Sequence, residues 1–105
     1  MDSLDLAQLT QAHFTPHLGT EFQVILPGNH TCALTLQAVE ALGGPAQKTN
    51  EGKRSGFALI FHGPTSKPLG QNTFTLAHQE IGKFALFLVP VGETNEHRTY
   101  ETIFN

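Results

Sequence analysis

The sequence predicts a mainly β domain: a small antiparallel barrel or barrel-like sandwich of five to six strands, preceded by a short N-terminal helix. Three observations lead there. Apolar residues recur at every second position in run after run, as in Phe22, Val24, Leu26 and Phe57, Leu59, Phe61, the spacing of a strand with one buried face. Turn-forming residues interrupt these runs at Pro27-Gly28-Asn29, Gly63-Pro64 and Pro90-Val91-Gly92, which is the punctuation of short antiparallel strands. The 105 residues, 39% hydrophobic and only 14% charged, suit one packed domain spanning residues 1–105 rather than a disordered polyelectrolyte.

Residues 5 to 13 read as the helix. Leu6, Leu9 and Ala12/His13 recur at helical spacing, Asp5 stands in a capping position with Gln8 three residues on, and Pro16 and Gly19 end it. So short a helix is not stable alone, so its leucine face must dock. Phe22, Val24 and Leu26 mark a first strand. A second lies within Thr31–Leu42, with Leu34, Leu36 and Ala38 on one face. Gly43 to Ser55 is a polar loop. Phe57, Leu59 and Phe61 make a third strand, Phe74, Leu76 and His78 a fourth, and Phe84 to Val89 a fifth that Pro90 and Gly92 stop. Tyr100, Thr102 and Phe104 make a sixth. Gln79-Glu80-Ile81-Gly82 suits a hairpin between the fourth and fifth. The simplest order is a meander, because consecutive strands usually pair.

The fifth strand breaks the alternation. Phe84-Ala85-Leu86-Phe87-Leu88-Val89 is apolar on both faces, whereas a half-solvated strand carries polar residues on its outer side. Its outer face therefore needs cover, from the Leu6/Leu9 helix or from a partner. Ile60, Phe87 and Val89 are the candidate interaction surface, with Ile103 belonging to the same patch.

Charge and cysteine content remove several functional classes. The net charge is −3, and the six basic residues are scattered, with Lys53-Arg54 the tightest pair. Nucleic-acid binding needs a basic stripe that neutralises phosphates, so no nucleic-acid partner is expected. No segment approaches the ~20 apolar residues of a membrane helix, and no basic amphipathic helix is present, so no membrane partner is expected either. The single cysteine, Cys32, cannot form an internal disulfide, and the acidic start Met1-Asp2-Ser3-Leu4-Asp5 does not read as a secretory signal. The expectation is a cytoplasmic protein, a setting compatible with later export as part of an assembly.

Chemistry-bearing residues are present without a motif. Six histidines are many for this length: His13, His17, His30, His62, His78 and His97. Metal binding needs several of them to converge. Pro16 separates His13 from His17, while His62 and His78 both end strands and can approach only if those strands pair. The ordinary alternative is polar histidines at strand ends. Cys32 with a histidine base is a conceivable nucleophile, but at a strand start beside Ala33-Leu34 it reads as a buried thiol. Glu21, Glu40, Glu80 and Glu101 could pair across strands as an acid–base couple, but strand positions facing solvent hold glutamate routinely, and sequence spacing does not say which strands adjoin. Ser3, Ser55 and Ser66 lack a Gly-x-Ser-x-Gly elbow. No catalytic residue, cofactor or small-molecule ligand is assigned.

Four segments carry a resemblance: Phe57 to Pro64, Gln71 to His78, Ile81 to Gly92 and Tyr100 to Asn105, together with Leu9-Thr10, Phe14 and Leu18-Gly19 near the start. This pattern, above all Leu-Phe-Leu-Val-Pro-Val-Gly and the Phe-Asn ending, resembles a family of small bacterial β-rich domains of unknown function. The resemblance implies a stand-alone bacterial domain, some members being encoded beside phage-tail-like or tail-fibre-like proteins, and it implies no activity or ligand. The expected function is a non-enzymatic structural or protein-interaction module, self-associating or accessory to a larger bacterial or phage-tail-like assembly. The alternative is a small-ligand or metal-binding barrel, or a minor enzyme using the histidines.

Overall fold

The computed structural model describes residues 9–41, 56–66 and 68–104. The polar loop expected over 43–55 and the first part of the expected helix, Leu6 included, lie outside the described residues. Six antiparallel strands close into a barrel in the order β1-β2-β3-β6-β5-β4. They are β1 (Glu21–Leu26), β2 (His30–Ala41), β3 (Phe57–Gly63), β4 (Asn72–His78), β5 (Gly82–Glu93) and β6 (Arg98–Phe104), preceded by a helix α1 (Gln11–Phe14) that tightens into a 3-10 turn at Thr15–His17.

The barrel consists of two three-stranded meanders, β1-β2-β3 and β4-β5-β6. They are joined by a β3–β6 seam and a β1–β4 seam. The single meander expected from sequence order therefore breaks at β3–β4. Residues 64–66 and 68–71 belong to a connection between two strands that are not neighbours, not to a hairpin. Leu69 anchors the connection: it is buried, and its N–H donates to the Tyr100 hydroxyl at 2.8 Å. Antiparallel closure leaves no free sheet edge along most of the barrel.

Alternation sets the interior. Phe22, Val24, Leu34, Leu36, Phe57, Leu59, Phe61, Leu76, Phe84, Leu86, Leu88 and Tyr100 are buried on the inward face. A barrel of this strand number is filled by its own side chains, and here the filling is aromatic. Phe57 stacks on Phe104 at 4.6 Å, and Phe22 meets Phe61 edge-on at 5.3 Å. Gly63 is required by this packing, since a Cβ there would lie 2.5 Å from a Leu34 methyl and 3.2 Å from the Tyr100 ring.

Two details differ from the sequence expectation for definite reasons. A bulge between Leu36 and Ala38 shifts the phase of β2, so Val39, not Ala38, packs against the core. Pro90 and Gly92 do not stop β5. The strand continues to Glu93 through a second bulge between them, the position where a strand tolerates a proline without N–H.

The helix sits elsewhere than expected. Thr10 precedes α1, and its N–H donates to His13 Nδ1 at 2.9 Å, a capping interaction with histidine in the usual glutamate position. Leu9 and Phe14 enter the barrel core rather than covering the outer face of β5. The β5–β6 ladder begins at Val89–Glu101, so Phe84 and Phe104 lie on strands that have separated. Phe14 fills the gap, its ring 6.0 Å from Phe84, 5.6 Å from Phe104 and 6.1 Å from Phe57.

Candidate interaction surface

The outward positions of β3, β6 and β5 form one continuous face. Ile60 pairs with Glu101, and Glu101 pairs with Val89, so these three lie in a row across the strands. The next row towards the α1 end holds Ala58 and its partner Ile103, and Phe87 lies across the separated part of the β5–β6 seam. Val91 projects from the β5 bulge. Phe87 is 50% exposed, Ile103 52% and Val91 53%, while Ile60 and Val89 are half-buried. The three residues singled out from sequence thus share one outer face, with Ile103 beside them. Val91 was not singled out because Pro90 and Gly92 read as the strand's end.

Charge frames this face. Glu101 lies between its two apolar neighbours and Glu40 pairs with Ala58. Along β5 the outward residues run Lys83, Ala85, Phe87, Val89, with inward Phe84, Leu86 and Leu88 between them. Arg98 is engaged with Glu93 at 2.8 Å at the other end.

The strand order settles the condition on which His62 and His78 could meet. β3 and β4 are not neighbours, and His62 and His78 each take another partner. His62 stacks on His97, centroids 3.7 Å apart and planes 16° apart. Near-parallel rings direct their in-plane lone pairs side by side, so this pair does not converge on a tetrahedral ion. Burial lowers the His62 pKa, and His97 adds to the lowering.

His78 is buried and committed at both nitrogens. Its Nδ1 accepts the N–H groups of Glu80 (3.0 Å) and Ile81 (3.3 Å). The Thr20 hydroxyl donates its one proton to the His17 carbonyl at 2.6 Å. The 2.9 Å contact between Thr20 Oγ1 and His78 Nε2 is therefore Nε2–H donating to the hydroxyl. His78 is the neutral Nε2–H tautomer and fastens the β4–β5 turn, where Gly82 takes φ +108°. Burial lowers its pKa first, and the His17 ring 4.6 Å away lowers it further, against an opposing pull from Glu80. Both nitrogens being occupied, His78 is structural.

Cys32 faces inward at 2% exposure. In the strand registers Glu21 lies opposite Thr35, Glu40 opposite Ala58, and Glu101 opposite Ile60 and Val89, while Glu80, in the β4–β5 turn, lines a shallow cleft together with Glu21 and His78. Among the described residues, no three His, Cys, Asp or Glu side chains form a group able to hold a metal ion. None of their helices is long and apolar enough to cross a membrane.

A family described as a domain of unknown function, DUF6916, matches residues 9–104. The chain belongs to this family. No curated protein and no solved structure matches it. The DUF6916 match begins at Leu9 and ends at Phe104, both of which are core residues. It therefore takes in α1 and all six strands, and the family unit is the plugged barrel as a whole.

Proposed function

We propose that this domain is a non-enzymatic structural module that assembles with a second copy of itself through the outer face of β3, β6 and β5. The observation that carries the reading is the gathering of half-exposed Phe87, Val91 and Ile103 on one face of an otherwise closed barrel. Contiguous apolar surface of this kind marks interfaces.

Charge complementarity favours a second copy. An antiparallel pairing of two β5 strands, centred between Ala85 and Phe87, seats each Phe87 over the partner's small Ala85. The same pairing sets each Lys83 against the partner's Val89 and the adjoining Glu101. Apolar Phe87–Ala85 contacts thus occupy the centre of this pairing, and opposite charges flank them on either side. As in the family resemblance, the assembly it serves would be bacterial or phage-tail-like, with the chain made in the cytoplasm.

Light scattering on untagged protein over a concentration series tests this. The expected result is a discrete dimer or higher oligomer that Phe87→Glu converts to monomer without loss of fold. Lys83→Glu should weaken association, and adding Glu101→Lys should restore it. A wild-type monomer at every concentration overturns the reading, as does an oligomer indifferent to Phe87→Glu.

A further inference from the structure

Two of the barrel's seams part before their strands end, β5–β6 at the α1 end and β1–β4 at both ends, and two of these partings, lying at opposite ends of the barrel, differ in what occupies them. At the α1 end, β5 and β6 separate beyond Val89–Glu101 and Phe14 occupies the gap. At the opposite end, β1 and β4 separate beyond Ile25–Thr75. There β1 continues with β2 to Leu26–His30, and β4 stays paired with β5 back to Asn72–Leu88. Between the parted strands lies a mostly apolar cleft of about 590 Å³.

We propose that this cleft binds a small, neutral, largely apolar aromatic molecule. Its walls are the margin of the core. Leu26 and Phe74 are half-buried and pack against the core cluster. Leu69 is 6% exposed and is held in place through the Tyr100 hydroxyl. Pro27 and Pro68 line the cleft beside them, adding stiff apolar surface without N–H groups. The volume falls within the roughly 300–1,000 Å³ typical of small-molecule sites, enough for one or two fused rings. Phe14 shows what a parted seam of this barrel accommodates, an aromatic ring against aromatic neighbours.

Two observations define the occupant further. No Asp, Glu, Lys or Arg is among the described residues lining the cleft, and an unpaired charge moved into such a site loses its hydration without recompense. Polar selectivity rests with His30, Thr31 and two amides: Asn72 Oδ1 accepts the Thr73 N–H at 2.8 Å, which leaves the Asn72 NH₂ and the neighbouring Gln71 carboxamide for a ligand's oxygen or nitrogen. A peptide strand does not fit, because strand addition needs a long open edge. Here only Asn72–Phe74 of β4 is open, facing the turn Pro27–Asn29.

The test is a titration of the ¹⁵N-labelled full chain with indole, followed by two-dimensional NMR. Saturable shifts are expected at the amides of Leu26, Leu69, Gly70 and Phe74. Indole-3-acetate and tryptamine, its anionic and cationic relatives, should bind at least threefold more weakly. Gly70 lines the cleft, and a Cβ there meets nothing within 4 Å. Gly70→Leu should therefore fold normally and weaken indole binding at least tenfold, while Phe87→Glu leaves it unchanged. Shifts that do not saturate, or that map to another surface, overturn the proposal. So does equal binding of the charged relatives, or indifference to Gly70→Leu.

Discussion

Phe14 lies outside every strand, yet its replacement by alanine should be among the most damaging changes in this domain. The ring is fully buried and has three phenylalanine neighbours between 5.6 and 6.1 Å away. A buried phenylalanine removes roughly 150–250 Å² from water, about 4–6 kcal/mol at 25 cal/mol per Å². Alanine keeps part of that, and a cavity replaces the rest, so Phe14→Ala should cost about 3–5 kcal/mol. Against a total of about 5–15 kcal/mol for a domain, that is a large share. Urea unfolding followed by circular dichroism reads it as a midpoint lowered by more than about 1 M at unchanged slope. Should the alanine variant not fold, Phe14→Leu must still cost roughly 1 kcal/mol. Benzene should raise the midpoint of Phe14→Ala by more than that of wild type, because a cavity walled by Phe57, Phe84 and Phe104 is dry and shaped for a ring. A loss below about 1 kcal/mol for Phe14→Ala would refute the reading of α1 as the plug of the β5–β6 seam.

Further outcomes follow from packing and protonation. Gly63→Ala should destabilise by about 1–3 kcal/mol by overpacking against Leu34 and Tyr100, whereas Gly70→Ala, with open space around its Cβ, should be neutral to slightly stabilising in the same urea experiment. For pH, the folded-state values of His62 and His78 lie below the ordinary 6.5, so the unfolded chain binds more protons. Stability is then full above about pH 6.5 and falls as pH drops through 6.5 towards the lowered folded-state values, which a pH series of melting temperatures reads. His78→Ala should cost about 1–3 kcal/mol by orphaning the Glu80 and Ile81 N–H groups, and should flatten part of that pH slope.

Most of the strands were legible because each has an inward row of large apolar residues at period two. Phe22 and Val24, or Phe57, Leu59 and Phe61, leave little doubt about which side is buried. Strand order was not legible. Pro64, Pro68 and Gly70 read like any turn, and what sets the segment apart is a contact distant in sequence, Leu69 N–H to the Tyr100 hydroxyl. The bulges at 36/38 and 90/92 were hidden for a related reason. A bulge leaves composition unchanged and only shifts the alternation by one, so Val39 took the place expected for Ala38, and Pro90 looked like a terminator.

The outer face and the cleft mark the two limits of reading a site from sequence. Phe87 was visible because an apolar residue between inward Leu86 and Leu88 has nowhere to point but outward. Its exposure depended on where α1 docks, and period alone gave the helix a leucine face without saying what it faced. Phe14, one residue past the expected helix, decides that question by entering the barrel. The cleft left no local signature at all. Leu26 and Phe74 are inward residues of ordinary strands, and they are accessible only because the β1–β4 ladder stops at Ile25–Thr75 while each strand goes on with its other neighbour. A gap of that kind is a property of closure: strands of unequal length wound into one barrel cannot all stay paired to their ends. The parted seams are therefore where the core can be reached, one by the chain's own phenylalanine and the other from solvent.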